Sequence, residues 1–380
     1  MSNRILYWFR NDLRLQDNEA FWNAVSDADE VIPVYVFDPR RFRVREPGMR
    51  KAGIRRAAFL FAVVQNLQAS MREKGGNLLI RMGDPEKVVA DLANQYSVTE
   101  VRASKEITLE ETNVEASLSK KLKGINVDIS LTWMNTLIHP HDLPFYISRL
   151  PEDAEEFAGA VGALKIRLPV VGRELTNSCP PDEGNVFPDY GQLGFDADEL
   201  EAFEPGISPP TEAEIAAGLA AGKAGVEDLL NWISVGLVSP RVAYHKTNGS
   251  ELGDALYRQL IWRDYLQFVA LKYGTRLFKS AGLAHEIDRP WRYDKEAFEL
   301  WREGETSDVG VNSLMKKFNR SGTITLEEMS VVAHYLIDEM GVNWTWGASW
   351  IESGSVYYEV ALVWGNWNYY AGLGPVKKAG

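Results

Sequence analysis

Tryptophan is the most informative residue type in this chain, since nine of its twelve copies lie at or after Trp232. That density predicts a large aromatic interior in the second half of the chain.

Metal chemistry has little support, because the five histidines form no ligand pattern, and His139 and His141 merely flank Pro140. No metal site is therefore expected. The single cysteine, Cys179, excludes an internal disulfide and indicates the cytoplasm or another reducing compartment.

Negative charge is concentrated in the middle of the chain. The net charge is −12 at pH 7, and residues 150–220 hold fifteen acidic residues against three lysines or arginines. The rest of the chain is balanced, with 38 lysines or arginines against 38 acidic residues, so the composition gives no support for DNA binding. The acidic segment predicts a binding surface for an unknown, basic protein partner, or a wrap around the second domain. No apolar run approaches the roughly 18 residues that cross a bilayer, so no membrane span is expected.

Short apolar runs rich in β-branched residues predict an α/β domain over residues 1–135. The predicted strands are 4–9, 31–37, 77–82, 99–103 and 127–133. Helical stretches lie between them, and the clearest covers residues 57–74, where apolar residues recur every four positions. Alternating strands and helices predict a doubly wound parallel sheet with right-handed crossovers.

The rest of the chain divides into a connection, residues 136–220, and an all-helical domain, residues 221–380. Frequent prolines and the acidic excess predict that the connection is an interdomain linker on the surface, without regular elements. Residues 255–273 are apolar on most sides, which predicts a central helix that ends at Gly274.

Five blocks of sequence, in order along the chain, resemble those of the photolyase/cryptochrome family. They are residues 8–18 (WFRNDLRLQDN), 37–40 (FDPR), 142–145 (DLPF, as in the DASH branch), 236–241 (GLVSPR) and 262–265 (WRDY). The resemblance implies an N-terminal α/β domain, a surface linker and a C-terminal helical domain that binds flavin adenine dinucleotide (FAD). The division drawn from the residues alone is the same.

The resemblance also implies that the flavin-contacting positions are changed here. The family segment reads roughly D-x-D-x-x-x-N-x-G-N-W, and Tyr357, Glu359 and Val363 stand at its two aspartates and its asparagine. The family wraps the flavin phosphates with serine and threonine donors. In this chain Glu227 and Asp228 stand there, and their carboxylates would repel phosphate. A degenerate FAD site is therefore expected.

Two further parts of the family's site are altered. Gln259 replaces the glutamate that hydrogen-bonds damaged pyrimidines. The family's N-R-x-R block becomes residues 326–329, in which Leu326 and Met329 are expected, with Val363, to fill the space left by a cofactor. The chain ends at Gly380, several tens of residues before the family's chains do, so a tail that helps to close the cofactor cavity is expected to be missing.

Other positions match the family. Arg263 matches an arginine that reaches the flavin phosphates, although it could equally pair with a neighbouring carboxylate. Trp367, Trp344 and Trp291 match the three tryptophans that relay electrons from the surface to the flavin. Trp262 matches the aromatic residue that stacks on the substrate. All four tryptophans could instead remain for core packing alone.

A second family cofactor, a folate antenna (methenyltetrahydrofolate), is held on the α/β domain. Residues 104–111 (SKEITLEE) resemble the segment that supplies its carboxylate partner, and Glu106 and Glu110 are the candidate positions. A glutamate near the start of a helix is also a common charge preference, so an interaction with the helix dipole is the competing interpretation.

Three functions follow from these observations. In the first, the protein has lost FAD binding and DNA repair and acts as a binding, structural or regulatory protein with no cofactor. In the second, it is a flavin-binding blue-light photoreceptor, or a DNA photolyase of the deoxyribodipyrimidine type, with an altered FAD pocket. In the third, it binds only the folate antenna. Losing four or more polar contacts, each worth about 1.5–3 kcal/mol, favours the first.

Overall fold

The computed structural model describes residues 2–45, 48–178, 187–204, 206–283 and 290–375; Cys179 and His285 lie outside these ranges. The strands are β1 (Arg4–Phe9), β2 (Glu30–Phe37), β3 (Val44–Arg45), β4 (Met49–Arg50), β5 (Leu79–Met82), β6 (Glu100–Ser104) and β7 (Asp128–Thr132). The α-helices are α1 (Glu19–Asp27), α2 (Ile54–Glu73), α3 (Pro85–Gln95), α4 (Leu109–Lys123), α5 (Ala154–Val161), α6 (Ala197–Glu201), α7 (Glu212–Ala220), α8 (Val226–Ser234), α9 (Pro240–Thr247), α10 (Glu251–Tyr273), α11 (Lys295–Glu303), α12 (Val309–Ser321), α13 (Leu326–His334), α14 (Trp344–Gly354) and α15 (Val360–Tyr370). Short 3₁₀ helices cover Pro39–Arg41, Pro140–Asp142, Ile147–Arg149 and Gly274–Phe278, and a π-helix covers Tyr335–Glu339.

Among the described residues, five parallel strands form one sheet in the order β5-β2-β1-β6-β7, and β3 and β4 make a separate antiparallel pair. The central strand β1 pairs with β2 on one side and β6 on the other; Trp8, for example, lies opposite Val34 and Ala103. Each predicted strand appears within two residues of its predicted bounds. The predicted doubly wound α/β class with a helical second region is confirmed.

The connection between the two regions contains regular structure, contrary to the sequence prediction. Helices α5, α6 and α7 lie within residues 136–220. Each begins at a side chain that caps its first N–H groups, namely Asp153, Asp196 and Thr211. Such caps stabilise short helices between prolines, because they satisfy backbone donors that would otherwise lack a partner.

The acidic connection contacts both regions of the protein. Glu199 of α6 forms an ion pair with Arg50 of β4 at 2.6 Å. On the other side, Lys272 of α10 donates a hydrogen bond to the backbone carbonyl of Leu150 at 3.1 Å. Part of the acidic charge is therefore neutralised within the chain. The connection contacts both the α/β domain and the helical region, and not the helical region alone.

Helix α10 is the centre of the helical region, as its apolar sequence predicts. Twelve of its 23 residues are buried. It ends at Gly274, whose φ of 55° lies in the left-handed region that suits glycine. Another glycine permits the close approach of α15, because a Cβ on Gly365 would lie 2.9 Å from the Leu266 side chain of α10. Within the described ranges, no helix is both long and apolar enough to cross a membrane.

A buried cluster, which we call the clasp, joins the α/β domain to the helical region. The carboxylate of Asp17 accepts hydrogen bonds from the Arg241 guanidinium at 2.7 and 3.0 Å. The Ser239 hydroxyl and a backbone N–H of the connection also donate to it. Asp17 is fully buried and Arg241 is nearly so. The blocks at residues 8–18 and 236–241, far apart in sequence, therefore meet at one interface.

Candidate functional site

A cleft, which we call the α8 cleft, opens in the helical region where α8, α13 and α15 begin. Its volume is about 660 Å³, within the range of small-molecule sites in proteins. The apolar residues that line it are Ile207, Val226, Leu230, Ile324, Leu326, Met329, Ile351, Leu362 and Val363. Trp232 and Tyr357 add aromatic surface. The cleft is therefore suited to a ligand with an apolar body.

The apolar residues at family flavin positions line the cleft without closing it. Leu326, Met329 and Val363 all line it, and that they fill the space of the family's cofactor stays a prediction. Met329 and Val363 are 2% and 7% exposed, so their side chains are almost completely enclosed by the core of the helical region. Their side chains form the floor of the cleft and leave its volume open.

The first turn of α8 carries negative charge at the mouth of the cleft. Glu227 and Asp228 lie there and are exposed. A carboxylate oxygen of Asp228 accepts a hydrogen bond from the backbone N–H of Gly225 at 3.0 Å. Partial burial and, next, the carboxylate of Glu328 raise the pKa of Glu227. A helix N-terminus can bind phosphate through its free N–H groups, but at α8 a carboxylate already stands at that position.

Helix α13 is capped by its own carboxylate as well. Thr325 and Glu328 form a capping box, in which the Thr325 hydroxyl accepts from the Glu328 N–H at 3.0 Å. In return, the Glu328 carboxylate accepts from the Thr325 N–H at 3.1 Å. Lys317 lines the same part of the cleft and pairs with Glu328 at 2.5 Å. The Lys317 ammonium and the N-terminus of α13 could each attract an anion, but both already have the Glu328 carboxylate as a partner.

Arg263, the family position for the flavin phosphates, is engaged in an internal ion pair. Its Nε lies 2.7 Å from a carboxylate oxygen of Glu359, and its guanidinium also donates to the backbone carbonyl of Asn135. The carboxylate of Asp264 is farther away, at 3.8 Å. Arg263 is 4% exposed. Its main partner is thus the residue at the second aspartate position of the family segment.

The side chains around the α8 cleft do not fit the diphosphate of FAD. Each of the three helices that begin at the cleft has a carboxylate at its start, from Asp228, Glu328 and Glu359 respectively. The buried arginine that could neutralise a phosphate is paired with Glu359. The carboxylates of Glu227 and Asp228 at the mouth are left to repel a diphosphate, so its binding would be disfavoured.

Asp264, which follows Arg263 on α10, anchors the start of the connection. Its two carboxylate oxygens accept hydrogen bonds from the backbone N–H groups of Leu137 at 3.0 Å and Ile138 at 2.7 Å. Asp264 is fully buried, and burial raises its pKa to about 7. Burial also raises the pKa of Glu359, while Arg263 acts in the opposite direction.

These pKa shifts predict a pH dependence of stability. The pKa of Asp264, about 7 in the folded chain, exceeds the value of about 4 for an unfolded aspartate. The folded state therefore binds more protons between these values, and the free energy of unfolding should fall as the pH rises from about 4 to about 7. The raised pKa of Glu359 acts with the same sign. Denaturant unfolding of wild type and Asp264→Asn across this range should give a shallower slope for the variant; parallel curves would exclude Asp264 as the source.

The family's lesion-contact positions lie on α10, outside the α8 cleft. Gln259 and Trp262 are both half-buried, and neither lines the cleft. The indole N–H of Trp262 donates to the side-chain oxygen of Asn366 at 3.1 Å, and its ring packs edge-on against Tyr369 at 5.0 Å between centroids. These contacts favour a packing role for Trp262.

Two of the three family relay tryptophans lie together. Trp291 and Trp344 both donate their indole N–H to the backbone carbonyl of Ser280, at 3.1 and 3.0 Å. Trp367 is fully buried in α15, with Trp301 as an edge-on ring neighbour at 6.3 Å. Its indole N–H is buried without a hydrogen-bond partner in the described structure. Trp291 and Trp344 thus share one acceptor, and Trp344 and Trp367 are both fully buried in the helical region.

The two candidate antenna glutamates line different cavities. Glu106 is buried and lines a cavity of about 110 Å³ between the α/β domain and the helical region, the interdomain cavity; burial raises its pKa. Glu110 pairs with Lys51 at 2.6 Å. It lines a cavity of about 280 Å³ at the carboxyl ends of β1 and β2, the sheet-edge cavity. The carboxyl edge of a doubly wound sheet is the usual ligand position in this fold class.

Glu227, Asp228 and Glu110 were expected from the sequence, whereas Glu328 and the sheet-edge cavity as a whole were not. The capping-box pattern Thr-x-x-Glu at residues 325–328 was a readable signal for Glu328. The charged residues that follow strand β2, beginning at Asp38, were a weaker signal for the sheet-edge cavity. In the described part of the chain, no group of three or more histidine, cysteine, aspartate or glutamate side chains is placed to hold a metal ion.

Comparison with known proteins identifies the class to which this fold belongs. The family model "DNA photolyase" matches residues 5–152, and the model "FAD binding domain of DNA photolyase" matches residues 256–379. Cryptochrome DASH of Synechocystis sp. PCC 6803 is 34% identical over 410 residues, which cover 97% of this chain and 81% of that protein. Cryptochrome DASH of Xenopus laevis is 34% identical over 404 residues, covering 98% and 77%.

Solved structures give the same result. The crystal structure of the Synechocystis cryptochrome matches all of this chain and 84% of its own, with a TM-score of 0.84 and 32% identity. An archaeal photolyase from Sulfolobus tokodaii, described with two FAD molecules, has a TM-score of 0.80 at 23% identity, which shows the shared fold. The chain belongs to the photolyase/cryptochrome family, and DASH cryptochromes are among its relatives. The family resemblance drawn from the five sequence blocks is thereby confirmed.

Proposed function

We propose that this protein is a photolyase/cryptochrome family member that binds no FAD and repairs no DNA, and that it acts by binding a ligand or a partner. The observation that carries the proposal is the buried ion pair between Arg263 and Glu359 at 2.7 Å. The arginine at the flavin-phosphate position already has a carboxylate partner within the chain. Binding a phosphate there would require breaking that pair and leaving Glu359 buried and uncompensated.

The charges around the α8 cleft support the same conclusion. Glu227 and Asp228 stand where the family offers phosphate donors, and the N-termini of α8 and α13 are capped from within the chain. A hydrogen bond to a charged group contributes about 1.5–3 kcal/mol, and each 1.4 kcal/mol changes affinity tenfold. The loss of several such contacts reduces FAD affinity by several orders of magnitude.

The flavin content of the purified protein tests this proposal. We expect the protein, expressed in cells that supply FAD and purified without denaturation, to carry well under one-tenth of an equivalent of flavin. The measurement is flavin fluorescence after the protein is denatured to release bound cofactor, with a DASH cryptochrome prepared in parallel as the positive control. A stoichiometric amount of FAD in this protein would contradict the proposal.

A second candidate is a flavin-binding blue-light photoreceptor or photolyase with an altered pocket. The open α8 cleft of about 660 Å³ favours it, as does the pair of tryptophans, Trp291 and Trp344, that meet at the Ser280 carbonyl. Light-dependent repair of a pyrimidine-dimer oligonucleotide distinguishes the two candidates. The first candidate function predicts no light-dependent repair, because Gln259 replaces the carboxyl group at the lesion and no flavin is present to donate an electron.

A third candidate is a folate-antenna protein, which the buried Glu106 in the interdomain cavity favours. That cavity has a volume of only about 110 Å³, below the range of about 300–1,000 Å³ that is typical of sites for drug-sized ligands. A pterin chromophore would therefore require the cavity to widen. The first candidate needs no such rearrangement.

A further inference from the structure

The α8 cleft combines an apolar, aromatic interior with a negative mouth. Trp232 and Tyr357 line it together with aliphatic side chains, among them Leu326. Aromatic and aliphatic walls bind planar rings by dispersion and by removing apolar surface from water, and Tyr and Trp supply large rigid contact areas. The lining therefore suits a flat ring system.

The charges of the lining determine which ring systems are accepted. Its carboxylates come from Glu227, Asp228 and Glu359, and among the described residues that line it Lys317 is the one cation. Lys317 pairs with Glu328, and Glu359 pairs with Arg263. The carboxylates of Glu227 and Asp228 are the lining charges that have no cation paired with them within the described chain, and both are exposed at the mouth.

We propose that the α8 cleft binds a planar aromatic ring compound that carries no negative charge, and that it discriminates against ring compounds that carry phosphate. This inference rests on the proposed absence of FAD binding and adds the class of ligand that takes its place. Glu227 and Asp228 exclude anions electrostatically, and the apolar floor holds the ring. Selectivity of this kind comes from charge repulsion against the unwanted ligand as much as from contacts with the accepted one.

Three probes that share one ring separate the effect of charge from that of shape. Riboflavin is uncharged, whereas FMN adds a phosphate to the same molecule and FAD adds a diphosphate and an adenosine. We expect riboflavin to bind at least tenfold more tightly than FMN or FAD, measured by equilibrium dialysis with flavin fluorescence as the readout. Added salt should reduce the difference between the affinities for riboflavin and for FMN or FAD, because it screens the exposed carboxylates of Glu227 and Asp228.

A charge-removing variant of equal size tests the assigned residues. In Glu227→Gln with Asp228→Asn, the affinity for FMN should rise about tenfold and that for riboflavin should stay unchanged. The matched control is Glu155→Gln with Glu156→Gln, which removes two acidic groups from the first turn of α5, a helix that does not line the cleft. The control should leave all three affinities unchanged.

Leu326→Trp, which inserts a ring into the cleft, should abolish riboflavin binding while circular dichroism remains that of the folded protein.

The possible outcomes separate this inference from the proposed function. If none of the probes binds, the inference is overturned while the absence of FAD binding stands. If FAD binds as tightly as riboflavin, both are overturned. If riboflavin binds equally well to wild type and to folded Leu326→Trp, the site lies elsewhere and the inference is wrong.

Discussion

Replacing Arg241 with alanine should lower the free energy of unfolding by about 3–5 kcal/mol, because it leaves a buried carboxylate without its cation. The Asp17 side chain is fully buried, and the two guanidinium hydrogen bonds at 2.7 and 3.0 Å are its charged partners. The clasp also joins two regions of the chain, so its loss should weaken their packing together. Denaturant unfolding measures the effect.

The control for the clasp is an exposed ion pair between a lysine and an aspartate. Lys87 and Asp84 lie 2.6 Å apart, and the Lys87 side chain is 62% exposed. Lys87→Ala should leave the unfolding midpoint unchanged within error, because surface pairs contribute little. Asp17→Asn should be milder than Arg241→Ala, since asparagine keeps the shape and tolerates the left-handed φ of 50° at that position. If Arg241→Ala unfolds at the same denaturant concentration as wild type, the clasp is not a stabilising contact.

The second large effect is expected at Arg263. Arg263→Ala should also lower the free energy of unfolding by about 3–5 kcal/mol, since it leaves Glu359 and Asp264 as neighbouring buried carboxyl groups. If Arg263 were reserved for an external phosphate, its removal would instead stabilise the free protein or leave it unchanged. Thermal and denaturant unfolding of the ligand-free protein distinguish these outcomes.

A double replacement isolates the ion pair. Arg263→Met combined with Glu359→Met removes both charges and keeps similar volumes, so it should recover most of the stability that Arg263→Ala loses. Arg263→Met alone should remain strongly destabilised. A double variant no more stable than the single one would show that the contact with the Asn135 carbonyl, and not the ion pair, is the source of the effect.

The α/β fold could be read from the sequence because its signals are local. Strand β1 is a run of apolar residues bounded by Arg4 and Arg10, and helix α2 ends near the pair Gly75-Gly76, so both elements are specified by neighbouring residues. Helices α5, α6 and α7 were not expected, because the prolines of residues 136–220 indicate breaks in regular structure. In α6 and α7, capping boxes that begin at Asp196 and Thr211 stabilise the first turn, so short helices form between the prolines.

The candidate site was predictable in its residue types but not in its geometry. The acidic side chains at 227 and 228 are visible in the sequence, and so is the substitution at Val363. The partner of Arg263 lies 96 positions away at Glu359 and is chosen by the packing of α10 against α15. The open cleft is likewise a tertiary property, because whether Met329 and Val363 fill a space depends on the separation of helices that the sequence does not give.

We propose that the family fold is present here while its charges disfavour the phosphate-bearing cofactor. Titrating FAD into the purified protein and following its melting temperature tests this claim most directly. A ligand at 100 times its dissociation constant stabilises a folded protein by about 2.7 kcal/mol. We predict no change in melting temperature up to millimolar FAD. A saturable rise of several degrees at micromolar FAD would contradict the claim.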